Sequence, residues 1–427
     1  MYKRQGVEAV LDALAVKIKD SKAEVNGQAI GNALYGLQGM GRSAGAEAVL
    51  DALAAKIKEC KTELDGQNIG NALYGLQGMD GRSAGVEAVL GALALQIKQS
   101  KAELDDQAIG NALYGVQGMN GRTAGAEAVL DALAVKIKES RAVLSGQAIG
   151  NALYGLQEMR QESAVVTKVL SALSAKLDPI IVEINPKSIG LGLFGLLAVG
   201  CQSEEAPWSQ LAYRLVDKAR EQVDSGSPDI RLEDLKDDEG NVLCLYQHVV
   251  LGLANFPPPA ACIQGALARL LEEMEPLVKE VGRRRVRKGT TRGMNPAERR
   301  LSGAVTKVIS SMDTTHEYEV LSNVLLHGFE ADVVVQRKVS QPPSFSSITS
   351  TPYSPPLCIN IESDGDVHEL YRKKRFCSLR DKYLESEKGV VVLRLTAAEM
   401  KGLSDEGLAA KLNNLLYPIF ASKITSG

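Results

Sequence analysis

The chain has 427 residues, of which 45% are apolar, and a formal net charge of −3 from 49 basic and 52 acidic side chains. This length allows two or three domains, and the balanced charge argues against binding through an overall positive charge. No apolar run reaches the roughly 18 residues of a membrane span. Six scattered cysteines without a CxxC pair argue against a zinc site or disulfide framework and indicate a reducing compartment.

The start of the chain carries no secretory signal peptide. "MYKRQ" runs directly into "GVEAVLDALAVKIK", which matches the second half of a repeat found further along. A repeat stack that begins in mid-repeat lacks its capping unit. We therefore expect the natural protein to begin upstream, with any targeting sequence outside this chain.

A repeated segment dominates the first 200 residues. "GQAIGNALYGLQGM" at 27–40 returns at 66–79, 106–119 and 146–159, with a divergent copy at 186–199, at intervals of 39 or 40 residues. Segments such as 44–60 lie between the copies. The repeated segment and the segment that follows it each have apolar residues at helical spacing. These are Ile30, Ala33, Leu34, Leu37 and Met40 in 27–40 and Ala46, Val49, Leu50, Leu53 and Ile57 in 44–60. The pattern predicts an α-solenoid of paired-helix repeats over 1–200 and a degenerate helical repeat region over 201–282.

The first helix of each repeat also carries a polar line. Gln28, Asn32 and Tyr35 share one helix face, and the line recurs as Gln67, Asn71, Tyr74, as Gln107, Asn111, Tyr114, and as Gln147, Asn151, Tyr154. Amides can bond the edges of bases and a phenol ring can stack on a base, while the neighbouring glycines would keep the surface open. The pattern predicts a groove that binds single-stranded RNA. The alternative is that the amides brace inter-repeat turns and the tyrosines belong to a half-buried core.

A basic linker is predicted at 283–296. Its arginines Arg283, Arg284, Arg285 and Arg287 can neutralise phosphates, although a solvated linker or a targeting tag would also explain them. His248, earlier in the chain, lies on an apolar stripe and is assigned to the core because no second ligand is near it.

Residues 297–427 are predicted to form a small α/β domain, because β-branched runs at 331–336, 357–362 and 389–395 alternate with helical segments. Asp332 and Glu362 fall on neighbouring strands, with Asp364 and His368 following. Carboxylates on adjacent strand ends can hold Mg²⁺, which activates water. Ordinary strand-end acids with an Asp-Gly turn are the alternative.

Two resemblances add to these patterns. "QAIGNALYGLQGM" resembles the "ELANTLWALAKLG" helix of octotricopeptide repeats, which are paired-helix repeats of organelle RNA-binding proteins. "INIESDGDVH" followed by "RKKRFCSLRDKYLESEKGVVVLRL" resembles the RAP domain over roughly 297–420, which is similar in fold to the PD-(D/E)xK nucleases. The second resemblance implies Asp332, Glu362 and Asp364 as metal-ligand candidates and His368 as a polar helper. Asp364 stands where those nucleases have a lysine, so Lys373 or Lys374 would have to replace it.

Together these patterns predict a monomeric RNA-binding protein of a mitochondrion or plastid. Its repeats would bind single-stranded RNA, and the RAP-like domain would support RNA processing, stability or translation. Because four repeats carry the same polar line, the preferred RNA is expected to contain a run of one base. The alternatives are a protein-interaction scaffold and a Mg²⁺-dependent ribonuclease guided by the repeats.

Overall fold

A computed structural model describes residues 2–38, 40, 43–79, 81–119, 123–157, 159, 163–177, 184–200, 203–204, 206–223, 235–287, 296–312, 318–327, 329–337, 357–364 and 371–424. The chain divides into two units, Met1–Pro276 and Leu277–Gly427. The first unit contains paired helices and the second contains a four-stranded sheet with helices. No described helix is both long and apolar enough to cross a membrane.

The first unit is built from two layers of helices. The helices are α1 (Tyr2–Asp20), α2 (Gly27–Gly36), α3 (Ala44–Glu59), α4 (Gly66–Gly75), α5 (Ala84–Gln99), α6 (Asp106–Gly115), α7 (Ala124–Glu139), α8 (Gly146–Gly155), α9 (Ala164–Leu177), α10 (Pro186–Val199), α11 (Pro207–Val223), α12 (Leu235–Asn255) and the first part of α13 (Ala261–Arg287), whose last residues belong to the second unit. Even-numbered helices α2 to α12, here called A helices, pack on one another in succession, and odd-numbered helices α1 to α11, the B helices, do the same. The prediction of a stacked helical-repeat architecture is confirmed.

Local sequence explains where these helices begin. Each A helix from α2 to α10 starts after a side chain that accepts a hydrogen bond from the backbone three residues ahead, at Asn26, Asp65, Asp105, Ser145 and Asn185. Ser43, Ser83 and Thr123 cap the B helices in the same way. The core positions expected in the second helix are buried, from Ala46 to Ile57. In the first helix of the repeat, Met40 is 43% exposed, whereas its counterparts Met79 and Met119 follow helices that have an A helix on both sides and are buried.

Side chains also tie each B helix to the next one. The backbone N–H of Gly45 donates to Glu8 Oε2, that of Gly85 to Glu47 Oε2 and that of Gly125 to Glu87 Oε1, at 2.7–3.1 Å. A carboxylate at the start of one helix therefore binds the positive N-terminus of the following helix. Lys56 of α3 donates to the backbone oxygen of Ser21 at 2.8 Å, and its side chain is largely covered.

The degenerate part of the first unit continues the same stack. α10 packs against α12 and α11 contacts α9 and α10. His248 in α12 is 7% exposed, and its Nδ1 lies 2.7 Å from the backbone oxygen of Cys244. Its ring contacts those of Tyr154 and Phe194 edge-on. The assignment of His248 to the core is confirmed.

The second unit contains α14 (Pro296–Ser311), β1 (Tyr318–Leu326), β2 (Phe329–Arg337), β3 (Cys358–Asp364), α15 (Tyr371–Lys388), β4 (Val391–Thr396), α16 (Ala397–Lys401) and α17 (Asp405–Ile424). The strands lie in the order β1-β2-β3-β4, with antiparallel pairs except for the parallel pair β3–β4. Val333, Val335, Ile359 and Ile361 form one core with residues of α14 and α17. β1 was not predicted, because "YEVLSNVLL" interrupts its apolar residues with polar ones.

Candidate functional site

Eight amides form two rows on the A helices, one exposed and one mostly half-buried. Gln28, Gln67, Gln107 and Gln147 are all exposed, while Asn32 is exposed and Asn71, Asn111 and Asn151 are half-buried. None of their side chains bonds another group in the part of the chain that the structure describes. Within each helix the two amides are separated by four residues, so they are neighbours on one face. Each of the four repeats thus presents one unengaged amide pair, here called the amide rows.

The tyrosines of the same line have a different environment. The rings of Tyr35, Tyr74, Tyr114, Tyr154 and Phe194 stack in one continuous column, with centroids 5.6–6.0 Å apart. Tyr114 and Tyr154 are only 4% and 3% exposed, whereas Tyr35 at the end of the column is 49% exposed. The prediction that a ring stacks on a base in every repeat is therefore wrong for Tyr114 and Tyr154, because other rings cover their faces. The alternative, a core role, describes them correctly.

The glycine after each tyrosine explains the short spacing of the column. A Cβ added at Gly75, Gly115 or Gly155 would lie 2.0–2.2 Å from a backbone carbonyl oxygen of the preceding A helix. The sequence had suggested that these glycines keep a binding surface open. They instead allow close packing of the helices. Equivalent rings are displaced by about 6 Å per repeat, which is less than the usual helix separation of about 8–10 Å. Successive A helices therefore approach one another unusually closely at these glycines.

A second set of glutamines, which the sequence did not single out, lies in the turns that follow the A helices. Gln38 Nε2 donates to Gln77 Oε1, and Gln77 Nε2 donates to Gln117 Oε1, both at 3.0 Å. Gln157 Nε2 donates to the backbone oxygen of Tyr154 at 3.1 Å. The bonds of Gln38, Gln77 and Gln117 brace neighbouring repeats, which is the role that the alternative hypothesis gave to the other rows. Their repetition at the repeat period could have indicated this.

A row of cations was also missed. Lys22, Lys61, Lys101 and Arg141 occur six residues before the exposed glutamine of each repeat, on the loop that enters the A helix, and all four are exposed. Lys61 Nζ lies 3.9 Å from Glu24 Oε1 of the preceding repeat, and both side chains are largely exposed. Such an exposed pair is weak. Lys61 can therefore exchange its carboxylate partner for a phosphate.

The predicted arginine cluster cannot be placed in the same detail. Arg283, Arg284, Arg285 and Arg287 belong to the last turns of α13, and their side chains lie outside the described part of the chain.

In the second unit, alternation along the strands brings Asp332 and Glu362 to one face of the sheet. Val333 pairs with Ile361 in the antiparallel pair β2–β3, so the next residues along, Asp332 and Glu362, lie opposite each other. Glu362 also pairs with Arg394 across β3–β4. The core residues point to the opposite face, because side chains alternate along a strand. The predicted convergence of the two carboxylates is therefore present in the register.

The environment of these carboxylates is filled by protein groups. Glu362 is 4% exposed, its Oε2 lies 3.3 Å from Arg380 Nη2, and its Oε1 accepts from Asn360 at 2.8 Å. Asp332 Oδ2 accepts from the backbone N–H of Ser363 at 2.7 Å. Burial, and then the negative charge of Glu362, raise the pKa of Asp332 to about 7.

The Arg380 guanidinium, which belongs to a network of ion pairs, thus lies where a metal ion was expected. Arg380 of α15 also pairs with Asp381, which binds Arg394 Nε at 2.6 Å, so the charges form one connected layer. A divalent cation at Glu362 would lie against the Arg380 guanidinium, so the described donors do not fit the predicted Mg²⁺ site. In the described part of the chain, no group of three His, Cys, Asp or Glu side chains could hold a metal.

Three of the catalytic candidates fall where the structure says little. His368 lies outside the described residues, and the side chains of Asp364 in β3 and Lys373 in α15 are likewise not described. Their proposed roles remain predictions from the resemblance.

Comparison with known proteins does not assign the chain to a family. No protein-family model matches the chain, and no curated protein sequence matches it significantly.

Proposed function

We propose that the first unit binds single-stranded RNA along the amide rows of its A helices. The observation that carries this proposal is the regular presentation of unengaged amide pairs, one per repeat, at Gln28/Asn32 and their three counterparts. A buried structural amide normally has a protein partner. Amides that recur at equivalent positions without a protein partner are suited to bind an external ligand that repeats at the same interval.

The repeat spacing supports a nucleotide chain as that ligand. A displacement of about 6 Å per repeat exceeds the ~3.4 Å rise of stacked bases in a duplex strand. A strand with one base per repeat must therefore be splayed, as single-stranded RNA is when its bases are bound individually. The cation row supplies one positive side chain per repeat for the phosphates.

The second unit fits a supporting role in this proposal. Its charged layer stabilises the contact of α15 with the sheet and leaves Glu362 engaged by Arg380. On the strength of the resemblance to RAP domains, we propose that this unit assists the processing, stability or translation of RNA in a mitochondrion or plastid. The Mg²⁺-dependent ribonuclease alternative is the less favoured one, because of the guanidinium at Glu362.

The second candidate function is a protein-interaction scaffold, and one feature of the B helices favours it. An open apolar groove of about 500 Å³ lies between α7 and α9, lined by residues that include Val135, Ala172 and Ala175. Val135 and Leu95, which occupy equivalent repeat positions, are about half exposed. Exposed apolar surface of this kind often marks a protein contact.

Replacing Asn32, Asn71, Asn111 and Asn151 together with Ala tests the RNA proposal. We expect the affinity for a labelled random single-stranded RNA pool, measured by fluorescence anisotropy, to fall at least about tenfold, or about 1.4 kcal/mol. The melting curve should change little, because these amides have no protein partner and their removal leaves the core intact.

The control variant changes Glu59, Gln99 and Glu139, which are exposed at one position of the B helices, to Ala. Its RNA affinity should equal or slightly exceed that of the wild type. A folded asparagine variant with unchanged affinity would contradict base contact by this row. Absence of RNA binding by the wild-type protein would overturn the proposal as a whole.

A further inference from the structure

The amide rows have a property beyond RNA binding in general, because they come in pairs. Gln28 and Asn32 are four residues apart on one helix face, and the three following repeats repeat the arrangement. Each amide offers one donor and one acceptor group side by side. A single base held at one repeat therefore meets two such donor–acceptor pairs.

The four bases differ in how many edges match an amide. Adenine presents N6–H beside N7 on one edge and the second N6–H beside N1 on the other, so both edges pair a donor with an acceptor. Guanine presents two acceptors, N7 and O6, on its Hoogsteen edge, where an amide binds adenine in a bidentate manner. The donor–acceptor pairs of guanine lie on its Watson–Crick edge and its sugar edge. Cytosine and uracil lack N7 and have donor–acceptor pairs on the Watson–Crick edge only. Adenine is thus the base whose Watson–Crick and Hoogsteen edges, the two that proteins bind in single-stranded RNA, each match an amide.

The number of repeats limits the length of the bound run. In α10, which follows the four matching A helices, Lys187 stands at the glutamine position and Leu191 at the asparagine position. Leu191 is 8% exposed and belongs to the core, so this helix offers no amide pair. The described rows therefore end at Gln147 and Asn151, with four complete pairs.

We propose that the first unit selects a run of four adenosines in single-stranded RNA, with the glutamine and the asparagine of each repeat bonding the two edges of one adenine. This inference rests on the proposed function and specifies its substrate class. Identical pairs in four consecutive repeats account for a run of one base.

Binding of labelled 12-nucleotide RNAs, measured by fluorescence anisotropy at fixed salt, tests the selection. We expect oligo(A) to bind at least about tenfold more tightly than oligo(U), oligo(C) or oligo(G), because a bidentate contact discriminates by about 1–3 kcal/mol. In an oligo(U) background, affinity should rise with two, three and four consecutive adenosines and then level off. Equal affinity for oligo(A) and oligo(U) would overturn the adenine assignment while leaving RNA binding intact.

Replacing adenosine by 7-deazaadenosine removes the N7 acceptor and keeps the ring shape, so it tests whether both edges are used. The affinity of the wild type for the modified oligo(A) should fall at least about fivefold, as expected for loss of hydrogen bonds in four repeats. A variant with Gln28, Gln67, Gln107 and Gln147 changed to Ala should lose most of its preference for oligo(A) over oligo(U), because one of the two adenine edges then has no partner. An unaffected preference in this variant, or no effect of the 7-deaza change, would overturn contact with two edges. Failure of all four oligomers to bind would instead overturn the proposed function.

Discussion

At the residue scale, Asp332 makes the stability of the second unit depend on pH. Its carboxyl group is mostly buried opposite Glu362, and its pKa is raised to about 7 from the ordinary 3.8. Between these two values the folded protein binds the proton more tightly than the unfolded chain does. Stability therefore decreases as pH rises from about 4 to about 7, and stays at the lower value above that range.

We expect Asp332→Asn to stabilise the second unit at pH 8 and to have little effect at pH 4. An amide oxygen can still accept from Ser363 N–H, whereas the cost of the buried charge disappears. The gain should be about 2 kcal/mol, which discounts for partial exposure the roughly 4 kcal/mol that three pKa units represent. Hydrogen exchange of the β2 and β3 amides in urea, corrected for intrinsic rates, measures it.

The control for this change is Glu385→Gln on the exposed face of α15, which should alter stability by less than about 0.5 kcal/mol at either pH. A variant at Asp332 that is less stable than the wild type at pH 8 would show that the charged carboxylate is needed, contrary to the argument from burial.

Part of this site follows from sequence and part does not. Period-two alternation places Asp332 and Glu362 on the polar faces of two strands, and their adjacency needs only the pairing of β2 with β3. The role of Arg380 could not be predicted, because it depends on which turn of a uniformly charged helix faces the sheet. "YRKKRFCSLRDKYLESEK" offers several arginines and lysines, and tertiary packing alone selects Arg380 for burial.

At the scale of the element, the short contacts between A helices depend on the glycine that follows each tyrosine. We expect Gly115→Ala to destabilise the first unit by about 1–3 kcal/mol or more, because the new Cβ would lie 2.2 Å from the backbone oxygen of Leu73 and backbone cannot move aside cheaply. Urea unfolding followed by the fluorescence of Trp208, the sole tryptophan, measures this loss.

Gly36→Ala is the matched control, since Gly36 occupies the same repeat position in α2 and a Cβ there meets nothing within 4 Å. This substitution should be neutral or stabilising by up to about 1 kcal/mol, because Ala favours helix more than Gly. Equal destabilisation by the two changes would show that the glycines act through their backbone conformation and not through packing.

Helix existence, caps and core positions were predictable because a 3.6-residue period and repeated Ser, Asn and Asp caps are local properties. The burial of Tyr114 was not, since amphipathic spacing gives the face of a residue but not the distance to the neighbouring helix. The Tyr-Gly pair in each of the four matching copies determines that distance, because a glycine next to a large ring allows two backbones to touch. Its importance emerges only once the preceding helix is in place.

At the scale of the whole first unit, the cation row should set the salt dependence of RNA binding. Replacing Lys22, Lys61, Lys101 and Arg141 with Ala should lower the slope of log affinity against log salt by about 3, since each phosphate contact on a single strand contributes about 0.7. Base preference should remain, because these side chains come from loops and not from the amide rows. Anisotropy titrations at several salt concentrations with oligo(A) and oligo(U) provide both values.

A variant of equal charge change serves as the control. Lys19, Lys58, Lys98 and Lys138 occur once per repeat on the B helices and are exposed, so changing them to Ala removes the same four charges from another face. Its salt slope should fall clearly less. If both variants behave alike, RNA is attracted by total charge and does not follow the loops.

The ring column has a consequence for how such a protein can evolve. Every step of the column, every carboxylate cap and every bridging glutamine joins a repeat only to its immediate neighbour, and successive steps use the same residues. An in-frame crossover between two copies of the repeated DNA would therefore add or remove one whole unit while recreating each junction unchanged. On the proposed RNA function, the length of RNA bound would then change by one nucleotide with each repeat gained or lost, without any new side-chain contact having to arise.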